Sequence, residues 1–333
     1  MAGAGLRVVT RLGDVIHGIR SNWGRRAGRV PTVVPFVGYG GVGWIRVLGR
    51  VVLAKPKATG DRFAGVRGWR SFTSIPVRDA DVIVTAGGRT SVVRGDRGGV
   101  IDARVEADLP PGWSTVKLSI AGRDVELRVF VVADDVTFGL VSDVDDTVMV
   151  TALPRPFLAA WNSFVLNEHA RTPVAGMAVL YERLTRAHPE SPVIYLSTGA
   201  WNVVPTLTRF LSRNLYPRGA LLLTDWGPTR ERWFRSGAEH KRQSLERLAT
   251  EFPGIRWLLI GDDGQADERI YGAFARNHPD HVRAVAIRRL TPGEAVLAGG
   301  RTPAEEHGDQ VVPWVYAPDG AGLSARLGDL GLL

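Results

Sequence analysis

From Val33 to about Val132, apolar positions recur in short alternating or β-branched runs: Trp44 to Leu53, Ser71 to Val77, Asp81 to Thr85, Gly99 to Ala107, Thr115 to Ile120 and Asp124 to Val132. Turn formers separate them, among them Gly87-Gly88, Gly95-Asp96, Gly98-Gly99 and Pro110-Pro111-Gly112. A period of two places alternate side chains on one face of a strand, so residues 31–134 are predicted to form a β-sandwich-like domain. After Asp134-Asp135 the period changes. Strands are predicted at Phe138 to Ser142, Val193 to Ser197, Ala220 to Leu223, Trp257 to Ile260 and Val282 to Ile287, with helices near 156–169, 174–188, 203–214, 238–251 and 266–277. Strands alternating with helices predict an α/β domain over 135–290, a parallel sheet covered on both faces. The tail, 291–333, is rich in Gly, Pro and Ala and is expected to loop back across the surface or fray.

Residues 1–30 carry Leu6, Val8, Val9, Leu12, Val15, Ile16, Ile19 and Trp23 at near-helical spacing, surrounded by Arg7, Arg11, Arg20, Arg25, Arg26 and Arg29. This pattern predicts a basic amphipathic helix, which would either pack on its own domain or dock on an anionic membrane surface.

Composition narrows the field without choosing a function. At 333 residues, with 44% hydrophobic and 23% charged positions, the chain can bury a sizeable core in more than one domain. It has no cysteine, which excludes disulfides, thiolate nucleophiles and zinc–thiolate sites. No apolar run approaches the roughly 20 residues that span a bilayer, and no secretory signal opens the chain, so the expected location is cytoplasmic. The net charge of +8 suits an anionic partner, whether phosphorylated substrate, nucleic acid or acidic lipid. No nucleic-acid-binding motif accompanies it. Lysine is scarce: after Lys117 only Lys241 occurs.

The chemistry gathers at predicted strand ends. Phe138 to Val150 reads FGLVSDVDDTVMV, an apolar run that ends in Asp143, Asp145 and Asp146 followed by Thr147. In a parallel sheet, ligands bind at the carboxyl ends of strands, so Asp143 and Asp145 are expected at a solvent-facing tip on one crevice. The run VIYL closes on Ser197-Thr198, where a hydroxyl and backbone N–H groups could hold a phosphoryl oxygen. Lys241 is placed in the first turn of a helix beginning near Ala238, where a cation opposes the helix dipole unless an anion is present. After WLLI comes a second acidic tip, Asp262, Asp263 and Asp267. Two acidic tips in one sheet make a hard-oxygen site suited to Mg²⁺.

At these residues the chain resembles the haloacid-dehalogenase-type phosphatase superfamily, whose signature is DxDx[TV], a strand-end Ser or Thr, a Lys and a paired-acid motif. More narrowly, DVDDTVMVT, YLSTGAWNV, the pair His240-Lys241 and GDDGQADERIY are similar to the catalytic domain of the actin-patch-associated phosphatidate phosphatase family and its bacterial relatives. The resemblance covers about residues 135–290 and implies a doubly wound, haloacid-dehalogenase-like Rossmannoid sheet. It further implies that Asp143 is the nucleophile and forms an aspartyl-phosphate. Asp145 would act as acid and then base, Thr147 would brace the turn, and Ser197 and Lys241 would hold the phosphoryl oxygens. Asp143, the carbonyl of Asp145 and Asp262 would ligate Mg²⁺, with Asp263 or, as the family pattern favours, Asp267 completing the site. The implied substrate is a phosphomonoester, phosphatidate or another lipid phosphate, taken by a cytoplasmic enzyme with peripheral contact to an anionic membrane. A nucleic-acid end or a soluble phosphometabolite is the alternative substrate, and a non-catalytic membrane- or partner-binding scaffold is the alternative class. The segment Asp225 to Arg235, with Trp226, Trp233, Phe234 and three arginines, would rest on a lipid interface or fold over the sheet.

Overall fold

Buried positions alternate with more exposed ones along Asp81–Ala86, Gly112–Ile120 and Arg123–Val132 in the first half and give way to near-continuous burial along the strands of the second. A computed structural model describes residues 28–55, 75–150, 172–224, 230–264, 266–297 and 311–333. Most of the expected N-terminal helix and the whole expected helix 156–169 lie outside the described residues. So does the Trp/Arg segment, apart from the helical backbone of 230–235. The chain divides into two units, Met1–Val129 and Phe130–Leu333.

In the first unit lie β1 (Val30–Gly41), β2 (Trp44–Ala54), β3 (Ile75–Pro76), β4 (Asp81–Ala86), β5 (Arg89–Arg94), β6 (Val100–Glu106), β7 (Gly112–Ile120) and β8 (Arg123–Val132), the last of which runs into the second unit. They form one eight-stranded sheet in the order β3-β2-β1-β8-β7-β4-β5, with β6 also paired to β2. The expected pair of stacked sheets is therefore replaced by a single curled sheet. Its physical cause lies in the long first hairpin. The register of β1 against β2 shifts between Phe36 and Tyr39, and a bulge bends a strand and increases its twist. The far edge of β2 can then receive both β6 and β3. Ile45, Leu48, Val51, Ile101, Leu118 and Leu127 fill the interior. β5, absent from the sequence-based expectation, pairs with β4 across the Gly87-Gly88 turn.

In the second unit, β9 (Phe138–Asp143) precedes the short pair β10 (Met149–Val150) and β11 (Thr172–Pro173). Then follow α1 (Met177–Ala187), β12 (Val193–Ala200), α2 (Val204–Arg213), β13 (Ala220–Thr224), α3 (Arg230–Glu251), β14 (Arg256–Asp262), α4 (Asp267–Asn277), β15 (Val282–Arg288), α5 (Pro292–Leu297), β16 (Trp314–Ala317) and α6 (Gly320–Asp329). The six-stranded sheet has the order β13-β12-β9-β14-β15-β16, with its strands paired in parallel. All six residues of β9 are buried, which is why its sequence is a continuous run and not an alternation. α1 buries Met177, Leu180, Tyr181 and Leu184, positions spaced one helical turn apart.

Over its described residues, 291–297 and 311–333, the tail does not fray. β16 adds a parallel strand beside β15, and α6 buries Leu323 and Leu327 while packing on α1 and β16. Burying a leucine contributes about 1.5–3 kcal/mol, enough to hold a helix whose glycines disfavour it at about 1 kcal/mol each. Its start is fixed by Asp319, whose carboxylate accepts a bond from the Gly322 N–H at 2.8 Å.

Candidate active site

Strand order reverses at β9: the chain goes from β9 to β12 and β13 on one side, then to β14, β15 and β16 on the other. At such a switch point the carboxyl ends of neighbouring strands part and leave a crevice. Three ends meet there, carrying Asp143 from β9, Ser197 from β12 and Asp262 from β14. α3 delivers Lys241 and the first turn of α4 delivers Asp267.

Asp143, Asp262 and Asp267 each present a carboxylate oxygen within 4.8 Å of the others, and all three are buried. Lys241, 2% exposed, donates from Nζ to Asp143 Oδ1 at 2.6 Å and to Asp267 Oδ1. One ammonium thus faces three carboxylates. The second oxygens, Oδ2 of Asp143, Asp262 and Asp267, are buried and make no hydrogen bond. A buried carboxylate oxygen without a donor is costly, and three carboxylates that each bury one while gathering within 4.8 Å form a donor set for a metal ion of hard, oxygen-seeking character. Burial pushes the Asp143 carboxyl well above the usual carboxylate range; Lys241 opposes this while Asp267 and Asp145 add to it. Burial likewise raises Asp262, reinforced by Asp267, Asp143 and Asp146. At Lys241 burial works against the charged form, but Asp143 and Asp267 outweigh it and hold the ammonium protonated.

Several expectations change. Asp143 and Asp145 are 1% and 5% exposed, not at a solvent-facing tip, because sheet and helices close over the end of β9. Lys241 sits in the middle of α3, since that helix begins at Arg230, eight residues before Ala238; its placement owes nothing to a helix terminus. Of the two alternatives for the last acid, Asp267 is the one brought to Asp143 and Asp262. The Asp263 carboxylate accepts instead from the Leu290 N–H at 2.8 Å. Ser197 Oγ donates to Asp145 Oδ2 at 3.2 Å and accepts from the Gly199 N–H at 3.0 Å. The Thr147 hydroxyl, buried, makes no hydrogen bond. The turn is braced instead by its backbone, with Asp146 N–H to Met149 O at 2.8 Å and Val148 N–H to Val144 O at 3.0 Å.

Two glycines let these parts approach. A Cβ on Gly261 would lie 2.7 Å from Asp267 Oδ2, so only glycine lets that carboxylate tuck against β14. A Cβ on Gly237 would lie 2.8 Å from Thr198 Cγ2, where α3 crosses the loop after Ser197.

Sequence reasoning missed Arg288, Asp146 as a strained position, and Tyr181. Asp146 has φ 58°, the left-handed region, and its carbonyl accepts from Arg288 Nη1 at 2.7 Å. Tyr181 hydrogen-bonds to Ser142 directly behind Asp143. The sequence offers just an arginine closing the apolar run AVAI, which does not set Arg288 apart.

Residues 138–289 match the family model of the catalytic domain of phosphatidate phosphatase APP1. Over this segment the chain is similar to that catalytic domain. The segment is also similar to phosphatidate phosphatase APP1 of Saccharomyces cerevisiae, 25% identical over 153 residues that make up 45% of this chain and 25% of that protein. An uncharacterised Schizosaccharomyces pombe protein matches at 24% over 150 residues, 45% of this chain and 24% of its own length. The chain thus spans about a quarter of the length of the curated relatives it matches. Among solved structures, a carbohydrate acetylesterase from Xanthomonas citri aligns over 81% of this chain and 73% of its own at 10% identity, with a TM-score of 0.30. So low a score carries no argument about fold or chemistry. Among the described residues, no helix is long and apolar enough to cross a membrane.

Proposed function

We propose that the second unit is a Mg²⁺-dependent phosphatase on a haloacid-dehalogenase-like, doubly wound sheet, hydrolysing a phosphomonoester through an aspartyl-phosphate on Asp143. The observation that carries this is the pairing of Lys241 with Asp143 Oδ1, which leaves Asp143 Oδ2 without a donor in a pocket where Asp262 and Asp267 each also bury an oxygen without one. The donor set fits Mg²⁺: all oxygen, compact, and carrying three negative charges against one positive. Asp143, Asp262 and Asp267 would hold the ion, which when bound keeps the carboxylates ionised and neutralises charge on the phosphate.

One carboxylate oxygen of Asp143 forms the new bond to phosphorus as the ester P–O bond breaks, and the leaving oxygen takes a proton from the Asp145 carboxyl. Asp145 then removes a proton from the water that attacks phosphorus, which breaks the Asp143–phosphorus bond and frees inorganic phosphate. Lys241 and the Ser197 hydroxyl offset charge on the phosphoryl oxygens throughout.

The family match and the name of the yeast relative favour a lipid phosphate such as phosphatidate as substrate. The test has two stages. Phosphate release from p-nitrophenyl phosphate that requires Mg²⁺ and is lost in Asp143→Asn supports the enzyme; no release would favour a scaffold. Faster turnover of phosphatidate in liposomes than of sugar phosphates or a 5′-phosphorylated oligonucleotide supports the lipid substrate, and the reverse order overturns it.

A further inference from the structure

The turn that carries Asp145 is held in a costly shape. Asp146 occupies the left-handed region, at about 1–2 kcal/mol for an ordinary L-residue, and such strain persists only where surrounding bonds enforce it. That backbone reversal sends the Asp146 N–H to Met149 O and its carbonyl to Arg288. Arg288 is itself 5% exposed at the end of β15. Its planar guanidinium serves three separate stretches of chain: Nη1 donates to Asp146 O at 2.7 Å, Nε to Pro318 O at 3.2 Å, and Nη2 to Glu294 Oε1 at 2.7 Å. Glu294 is in turn fixed by the Thr291 N–H at 2.9 Å.

Two of those three partners, Glu294 and Pro318, lie beyond the residues that match the phosphatase family. A second link runs parallel to this one. The Gly320 N–H donates to Ala175 O at 2.9 Å, and the neighbouring Val174 N–H donates to Val148 O at 3.1 Å, on the far side of the same turn. The C-terminal segment therefore grips the Asp145–Met149 turn from both sides.

We propose that Arg288 is a positioning residue for Asp145, and that through it Glu294 and the stretch Pro318 to Gly320 belong to the working site. This rests on the phosphatase reading above for its kinetic consequence but not for its structural one. A fixed fork can satisfy three divergent carbonyl and carboxylate acceptors at once, whereas lysine, a point charge on a flexible stem, keeps the charge opposite Glu294 and loses the geometry. Displacement of Asp145 affects proton delivery to the leaving oxygen, a contribution that matters most when that oxygen is a poor leaving group.

The experiment compares wild type, Arg288→Lys and Glu294→Gln with two substrates and one measurement that needs no substrate. In Arg288→Lys, kcat on p-nitrophenyl phosphate is expected to fall about 10-fold and on an alkyl phosphate about 100-fold, with KM little changed. Hydrogen exchange at the amides of Asp146, Val148 and Met149 is expected to quicken about 10-fold, while α1 and β12 keep their protection. Glu294→Gln loosens Arg288 from outside the turn and should move both readouts the same way by a smaller factor. It also covers the case in which Arg288→Lys does not fold. A merely structural Arg288 would lower activity on both esters in proportion to the folded fraction; that result, with unchanged exchange at the turn, overturns the proposal. If wild type hydrolyses neither ester, the phosphatase reading fails, and the exchange comparison still decides the role of Arg288.

Discussion

Replacing Asp262 by Asn separates the two burdens that the acidic pocket carries, its own repulsion and its affinity for a cation. Asp262 Oδ1 accepts from the Gly264 N–H at 2.7 Å, a bond the amide oxygen of Asn can keep. The new NH₂ group would take the place of Oδ2, within reach of the Asp143 and Asp267 carboxylates, and could donate where the wild type has only acceptors. Without metal, the variant should therefore match or exceed wild type in stability. The sign with pH agrees: the folded-state value for Asp262 is raised, so metal-free wild type is most stable at low pH and loses stability as pH rises through that value. The variant should lose less. Saturating metal reverses the ranking. At a Mg²⁺ concentration 100 times Kd, wild type gains about 2.7 kcal/mol, and for a unit of about 200 residues this raises Tm by about 5–11 °C. If loss of one ligand weakens binding about 100-fold, the same concentration gives only about 0.4 kcal/mol, a shift of about 1–2 °C. Scanning calorimetry at pH 7 in EDTA and in Mg²⁺ reads both quantities. An Asp262→Asn protein that retains the full wild-type shift would refute the ligand assignment; one that is several kcal/mol less stable in EDTA would refute the account of repulsion.

Lys241→Met should be destabilised by about 3–5 kcal/mol without metal, since it leaves Asp143 and Asp267 buried without their cation; urea titration in EDTA measures this, and Mg²⁺ should recover part of the loss. Leu327→Ala should cost about 2–5 kcal/mol, because its side chain is fully buried beneath α6, and an unchanged urea midpoint would mean that the C-terminal helix is dispensable. Gly237→Ala sets a helix-propensity gain of about 1 kcal/mol against an overpacking cost of about 1–3 kcal/mol at Thr198, so net destabilisation is expected, together with slower phosphate release. A more stable and equally active Gly237→Ala would show that α3 does not need its close approach to the Ser197 loop.

The α/β half was legible because its strands are uninterrupted apolar runs, which in a parallel sheet end at the ligand-binding edge; Asp143 and Asp262 could be named from that rule, whereas Asp267 was favoured over Asp263 by the family pattern. Lys241 was legible as an isolated lysine, but its helix start was misjudged: residues 230–237 contain Trp233, Phe234 and Gly237, which blur the apolar period. The C-terminal helix was hidden for a related reason. Gly320, Gly322 and Gly328 suppress local propensity, and burial of Leu323 and Leu327 overrides it only once β16 and α1 are in place. The curled sheet follows from a register shift, which hydrophobic alternation does not encode. Arg288 could not be singled out, since its three acceptors, at Asp146, Glu294 and Pro318, converge only in the folded chain.

The central claim is that Asp143, and not another carboxylate of the pocket, receives the phosphoryl group. Its most direct test is a crystal structure of the protein with Mg²⁺ and BeF₃⁻, in which beryllium fluoride stands in for the transferred phosphoryl. The account predicts beryllium bonded to one carboxylate oxygen of Asp143, with the ion held by the other together with Asp262 and Asp267 and with Lys241 Nζ beside them. Beryllium bonded to Asp145, Asp262 or Asp267 would contradict it.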